Sequence, residues 1–169
     1  MSREIRKVPP TWKHPKHSDG SHRPLLDSNF ESDDADWMEG YRQWQAGKVK
    51  DYKGGWKPKP DDCDTFTEWS GERPNPEDYM PQWSESEATH LMMYETTSEG
   101  TPLSPAFETP EQLARWLADN KASAFGDMTA TYGQWLAMCR VGHSHASMMV
   151  VSNGKMISGV EAVSESDAS

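Results

Sequence analysis

Aliphatic side chains, from which most hydrophobic cores are built, are scarce in this chain. Only 34% of its 169 residues are hydrophobic, against roughly 45–50% in ordinary globular chains. Before residue 84, Ile, Leu and Val occur only as Ile5, Val8, Leu25, Leu26 and Val49. Such a shortage usually signals disorder, but disordered segments are also poor in aromatics. Here there are eight Trp, five Tyr and four Phe. The burial is therefore expected to be aromatic more than aliphatic.

Other absences narrow the function. Cys63 and Cys139 are too few and too isolated for a disulfide framework. No apolar leader is visible, and no run approaches the roughly 20 residues of a membrane span. The cytoplasm is the expected compartment, and no membrane partner is expected. Neither the Gly-x-x-x-x-Gly-Lys-[Ser/Thr] cradle nor the Gly-x-Gly-x-x-Gly turn occurs, and there is no Gly-x-Ser-x-Gly elbow. No cofactor, metal or catalytic residue is expected. Gly54-Gly55-Trp56 reads as a turn, and Asp33-Asp34 and Asp61-Asp62 read as cap or loop acids without calcium-loop spacing.

The formal net charge is −10, which disfavours direct binding to a nucleic-acid backbone. It is unevenly spread. Residues 1–24 hold Arg3, Arg6, Lys7, Lys13, Lys16 and Arg23 against Glu4 and Asp19, with His14, His17 and His22 among them. A basic tail docking on an acidic body is preferred to a nucleic-acid arm.

The chain length fits one ordinary domain, or a small one with a long extension. The chain changes character near residue 84. Six Trp (12, 37, 44, 56, 69 and 83) and most Pro precede that point. Segments such as Trp56-Lys57-Pro58-Lys59-Pro60 favour extended or turn backbone. Residues 1–87 are thus expected to be a Trp- and Pro-rich extension packed on the following domain, with 48–83 a largely irregular wrap. One helix is predicted within it, capped by Ser32 or Asp33, stopped at Gly47 and carrying Trp37, Tyr41 and Trp44 on one face. Gly40 should weaken it by about 1 kcal/mol relative to Ala.

Residues 88–163 read as a compact α+β domain. His90–Thr96 suits a strand, and Ala106-Phe107 a short second one. Thr109-Pro110-Glu111-Gln112 reads as an N-cap, a Pro at the first helical position and a capping box, opening a helix that ends near Asp119-Asn120. A second helix is predicted from about Ala130 to Arg140, followed by Gly142. Asn153-Gly154 between apolar runs is a strong hairpin signal, and 164–169 is expected to fray. The predicted fold is a small antiparallel sheet of about three strands with two helices packed on one face.

Two constellations merit weighing. Cys139, His143 and His145 form a Cys-x3-His-x-His cluster, with His90 and Cys63 available elsewhere. Zinc sites usually pair their ligands differently, so a buried Cys beside two solvated His is the preferred reading. The stretch from Tyr94 to Ser104 is rich in hydroxyls. A triad of Ser98, His90 and Glu95 can be written, but so can many others. A binding loop using Tyr94, Glu95, Thr97, Ser98, Glu99, Thr101 and Ser104 is favoured instead.

The runs Met93–Pro102 and Phe107–Asn120 resemble small proteins of no established activity encoded by tailed phages and prophages of proteobacteria. So do Arg6-Lys7-Val8-Pro9, Trp12-Lys13-His14-Pro15, Tyr79-Met80-Pro81-Gln82-Trp83, Ser123-Ala124-Phe125-Gly126 and Thr129-Ala130-Thr131-Tyr132. The likeness covers most of the chain and departs from it at Gly20–Pro24 and in the His143–His145 turn. It implies a non-enzymatic accessory protein that binds a host protein, a CRISPR or restriction nuclease complex among the candidates, through an acidic surface dotted with aromatics. The alternatives are a small-ligand or nucleotide-binding domain, or a minor virion or packaging accessory. The oligomeric state is left open.

Overall fold

The structure, a computed structural model, describes residues 3–96, 100–142, 149–152 and 155–166. In chain order its elements are β1 (Arg3–Val8), α1 (Phe30–Gln45), β2 (Lys48–Lys50), β3 (Trp56–Pro58), α2 (Phe66–Ser70), β4 (His90–Glu95), β5 (Thr101–Pro102), α3 (Pro110–Asp119), β6 (Ser123–Phe125), β7 (Met128–Thr129), α4 (Tyr132–Val141), β8 (Met149–Ser152), β9 (Lys155–Ser158) and α5 (Gly159–Ser166), with a 3-10 turn at Pro76–Asp78. Helices and antiparallel ladders make this an α+β fold, as expected. Two compact units form: residues 1–25 with 81–169, and residues 26–80.

The larger unit is organised by its first strand. β1 pairs antiparallel with β4 from Arg3↔Glu95 to Val8↔His90, and β5 adds on the far side of β4. The sheet is three-stranded, but its edge comes from the basic tail and not from the C-terminal hairpin. β8 and β9 pair with each other as a separate ladder in the register a two-residue turn demands; Asn153 and Gly154 themselves lie outside the described residues. Ala106-Phe107 contributes no strand, only a bridge in which Phe107 and Leu91 exchange backbone hydrogen bonds of 2.7 and 2.8 Å.

α3 and α4 form close to their predicted positions. Thr109 accepts a hydrogen bond from the Gln112 N–H, and Pro110 opens α3. Thr131 and Gln134 make a reciprocal capping box at the start of α4, and left-handed Gly142 ends it. One core cluster joins Met93 of β4, Leu113 and Leu117 of α3, Trp135, Met138 and Cys139 of α4, and Val160 of α5. The hairpin β6–β7 and helix α5 were not anticipated. Their buried residues are small, Ala124, Ala162 and Val163 among them, and give little periodic signal. The backbone is helical over Gly159–Ser166.

The smaller unit corrects the expectation that 48–83, within an extension holding one helix, is largely irregular. Residues 26–80 hold a helix, a hairpin, a second short helix and a 3-10 turn around their own cluster of Trp44, Val49 and Phe66. Elements of three to five residues are too short for a period to show. The cap of α1 also lies three residues before Ser32 and four before Asp33, because the Asn29 side chain accepts the Ser32 N–H at 2.8 Å.

In the larger unit Gly100 holds a position that no other residue fits. Its φ is +98°, and a Cβ there would lie 2.0 Å from the Leu25 carbonyl oxygen and 2.7 Å from the Arg6 guanidinium. Leu25 N–H donates to the Gly100 carbonyl, and Arg6 donates to the Leu25 carbonyl. Gly100→Ala is expected to cost on the order of 3 kcal/mol through backbone strain and overlap. Urea unfolding followed by Trp fluorescence checks this; an unchanged midpoint would contradict the packing described.

Candidate functional site

The Tyr94–Ser104 stretch turns partly inward. Tyr94 is buried, with the Arg6 guanidinium 4.5 Å from its ring centroid. Its hydroxyl accepts from Trp12 Nε1 and meets His14 Nδ1 at 3.1 Å. His14, 7% exposed, bonds the Arg23 carbonyl through Nε2 at 2.6 Å. A carbonyl only accepts, so Nε2 carries the proton and Nδ1 of the neutral ring accepts from Tyr94. Burial holds the His14 pKa below its ordinary value; the Arg23 bond opposes this, and His22 and Arg6 reinforce it.

Ser104 is also interior. Its hydroxyl accepts the Met93 N–H at 2.9 Å and donates to the Pro105 carbonyl at 2.8 Å, satisfying the backbone beside β4. It borders a shallow groove of about 320 Å³ with His22, Met92 and Leu103. Glu95 and Thr101 face each other across β4 and β5. Thr97, Ser98 and Glu99 lie outside the described residues. Tyr94 and Ser104 are both buried, the Tyr94 hydroxyl held by the Trp12 and His14 side chains and that of Ser104 by backbone. His90 and Glu95 sit at opposite ends of β4, about 17 Å apart at strand rise, too far for one triad.

The metal cluster fares similarly. Cys139 is a core residue whose thiol is pushed up to about 12, by burial first and by Glu111 second. His143 and His145 lie outside the described residues, and no group of three or more metal-binding side chains occurs among the described ones.

The smaller unit offers a different surface. Residues 26–80 hold 14 acidic and 7 basic side chains, a net charge of −7 out of the chain's −10. A groove of about 350 Å³ is lined by Asp33, Asp36 and Trp37 of α1, Phe66 and Trp69 of α2, and Glu72 beyond it. Helical spacing places 33, 36, 37 and 40 on one face of α1. Gly40 makes room for the groove floor: a Cβ there would come within 2.8 Å of the Phe66 ring. The glycine expected only to weaken α1 thus admits the ring that α2 contributes.

Trp37 packs edge-on against Phe66 at 5.0 Å, stacks with Tyr41 at 5.6 Å, and donates from Nε1 to the Gly71 carbonyl. Arg73 grips Asp34 with two bonds of 2.6 and 2.8 Å, which lowers the Asp34 pKa and raises that of Arg73. Large hydrophobics left exposed among the described residues are Met38, Tyr41, Tyr52, Trp56, Trp69 and Val141, and all but Val141 belong to this unit. The face of α1 was visible in the sequence. Its partner α2 was not, although the Thr65–Glu68 capping box was a signal that could have found it.

No protein-family model, curated protein or solved structure matches this chain.

The His14 network carries a pH prediction. With its folded pKa below the unfolded value of about 6.5, the unfolded state binds more protons in that window, so stability rises with pH. His22 shifts the same way, chiefly by burial. Stability should be full above about pH 6.5 and fall below it, by at most about 1.4 kcal/mol per pH unit for one histidine. Thermal unfolding between pH 7 and 5 measures this, and His14→Gln should flatten the slope. An equal slope in the variant would remove His14 as its source.

Proposed function

We propose that this chain is a non-enzymatic binding protein, an accessory of the phage and prophage kind its sequence resembles. It acts on a host protein, with a CRISPR or restriction nuclease complex as the class of partner that fits best. The contact is made by residues 26–80. The observation that carries this reading is the coincidence, in one unit, of most of the net negative charge with nearly all the large hydrophobics exposed among the described residues.

An acidic face is steered toward a basic partner surface and suppresses wrong partners. Exposed Trp and Tyr supply the anchors that dominate most interfaces. Proteins that handle nucleic acid carry such basic grooves, and an acidic surface competes for them. The polar groups of the larger unit support the same assignment from the other direction. His14, Tyr94 and Ser104 are engaged with backbone or with one another, which suits packing and not reaction.

Expression of the chain in a bacterium with active restriction or CRISPR immunity tests the reading. The plating efficiency of a targeted phage should rise toward that on an unprotected strain, and affinity capture should recover the nuclease complex. Asp61→Lys with Asp62→Lys, both exposed, should weaken the effect by reversing local charge. Intact immunity together with no captured host factor would end the proposal.

A further inference from the structure

The groove between α1 and α2 has a composition of its own within the acidic surface. It is lined by the rings of Trp37, Phe66 and Trp69 and by Asp33, Asp36 and Glu72, with Lys50 as its one basic residue. Aromatic faces and carboxylates share one kind of guest, a cation that is partly desolvated on the rings and neutralised by the carboxylates. The unit already seats its own cations in this manner. Lys59 Nζ lies 4.3 Å from the Trp44 ring centroid, and Lys57 Nζ lies 5.8 Å from that of Trp69. Lys50 reaches Asp36 at 3.7 Å with both side chains largely exposed.

We infer that this groove receives an arginine side chain from a basic segment of the protein partner, an inference that rests on the functional reading above. Arginine is favoured over lysine by shape. A planar guanidinium stacks on an indole while its fork bonds a carboxylate, which an ammonium cannot do at once. The Arg73–Asp34 pair shows the forked, two-bond half of that geometry on this same unit. The Lys50 and Lys57 contacts are long and solvated, so they hold little free energy against a better-fitting guest. Lys57 is then a built-in competitor for the face of Trp69.

The full-length protein is titrated with a Gly/Ser peptide carrying three spaced arginines, its lysine counterpart and its citrulline counterpart, by calorimetry and Trp fluorescence. The arginine peptide should bind about fivefold tighter than the lysine peptide, and the citrulline peptide should not bind. Trp69→Ala, and separately Asp36→Asn with Glu72→Gln, should each weaken binding about tenfold. Lys57→Ala should tighten it about twofold more than Lys53→Ala, which makes the same charge change at a lysine that lies over Tyr52. Glu108→Gln, a carboxylate of the other unit, should leave it unchanged. Circular dichroism confirms that each variant folds, with Trp69→Phe as a milder second change.

Equal affinity for arginine and lysine peptides, or indifference to Trp69→Ala in a folded variant, overturns the inference. Suppression of immunity that survives in the folded groove variants removes the groove and keeps the functional reading. Arginine-selective binding with host immunity untouched keeps the groove and removes that reading.

Discussion

The pairing of β1 with β4 is the interaction on which the larger unit depends. It joins residues 3–8 to residues 90–95, so a long loop must close before any of its hydrogen bonds form. The strand's two arginines then do several jobs from one register. Arg6 lies over Tyr94, pairs with Glu4 and bonds the Leu25 carbonyl. Arg3, 2% exposed, bonds the Ser123 carbonyl and hydroxyl. Burial lowers its pKa and Glu95, its cross-strand partner, pulls it back up. The Ile5 N–H adds a bond to the Gly142 carbonyl past the end of α4. One short basic strand therefore satisfies polar groups from four other segments, the role a docked tail would have, performed as sheet.

The two units handle polarity in opposite ways. In the larger one, hydroxyl, imidazole and guanidinium groups are drawn inside and matched, because a buried donor or acceptor without a partner is costly. The chain Trp12–Tyr94–His14–Arg23 is the fullest case, and it fixes the tautomer of His14. In the smaller unit the carboxylates face water and the aromatic rings are shared between a small core and the surface. Phe66 shows the division, buried against Trp44 on one side and flooring an open groove on the other. So few aliphatic residues leave rings as the main packing material, and Tyr41, Tyr52, Trp56 and Trp69 remain at the surface.

Legibility followed element length and the locality of the signal. α3 and α4 were readable because Thr109, Pro110 and Gly142 act within one turn of the backbone they start or stop. The β8–β9 hairpin was readable from Asn153-Gly154 for the same reason. β1 was read as a tail, since Arg3, Arg6 and Lys7 look like solvated charge until a partner strand and a carboxylate are placed beside them. The Tyr94–Ser104 stretch looked like a surface because hydroxyls suit loops as well as interiors. Which use holds depends on Met93 needing an acceptor for its N–H, a fact about neighbours and not about composition.

The sequence by itself determined the α+β class, the cap of α3, the stop of α4, the aromatic character of the burial and the sign of the charge. Each of these is set by residues within a few positions of one another, or by a sum over the whole chain. Only the tertiary structure decided where the basic strand pairs, that 26–80 forms a unit with its own core, and that Gly40 opens α1 to Phe66. It also decided that carboxylates and tryptophans meet in one groove. Those facts join residues tens of positions apart, and such contacts depend on chain closure and on the shape of the space left between side chains, neither of which local pattern records.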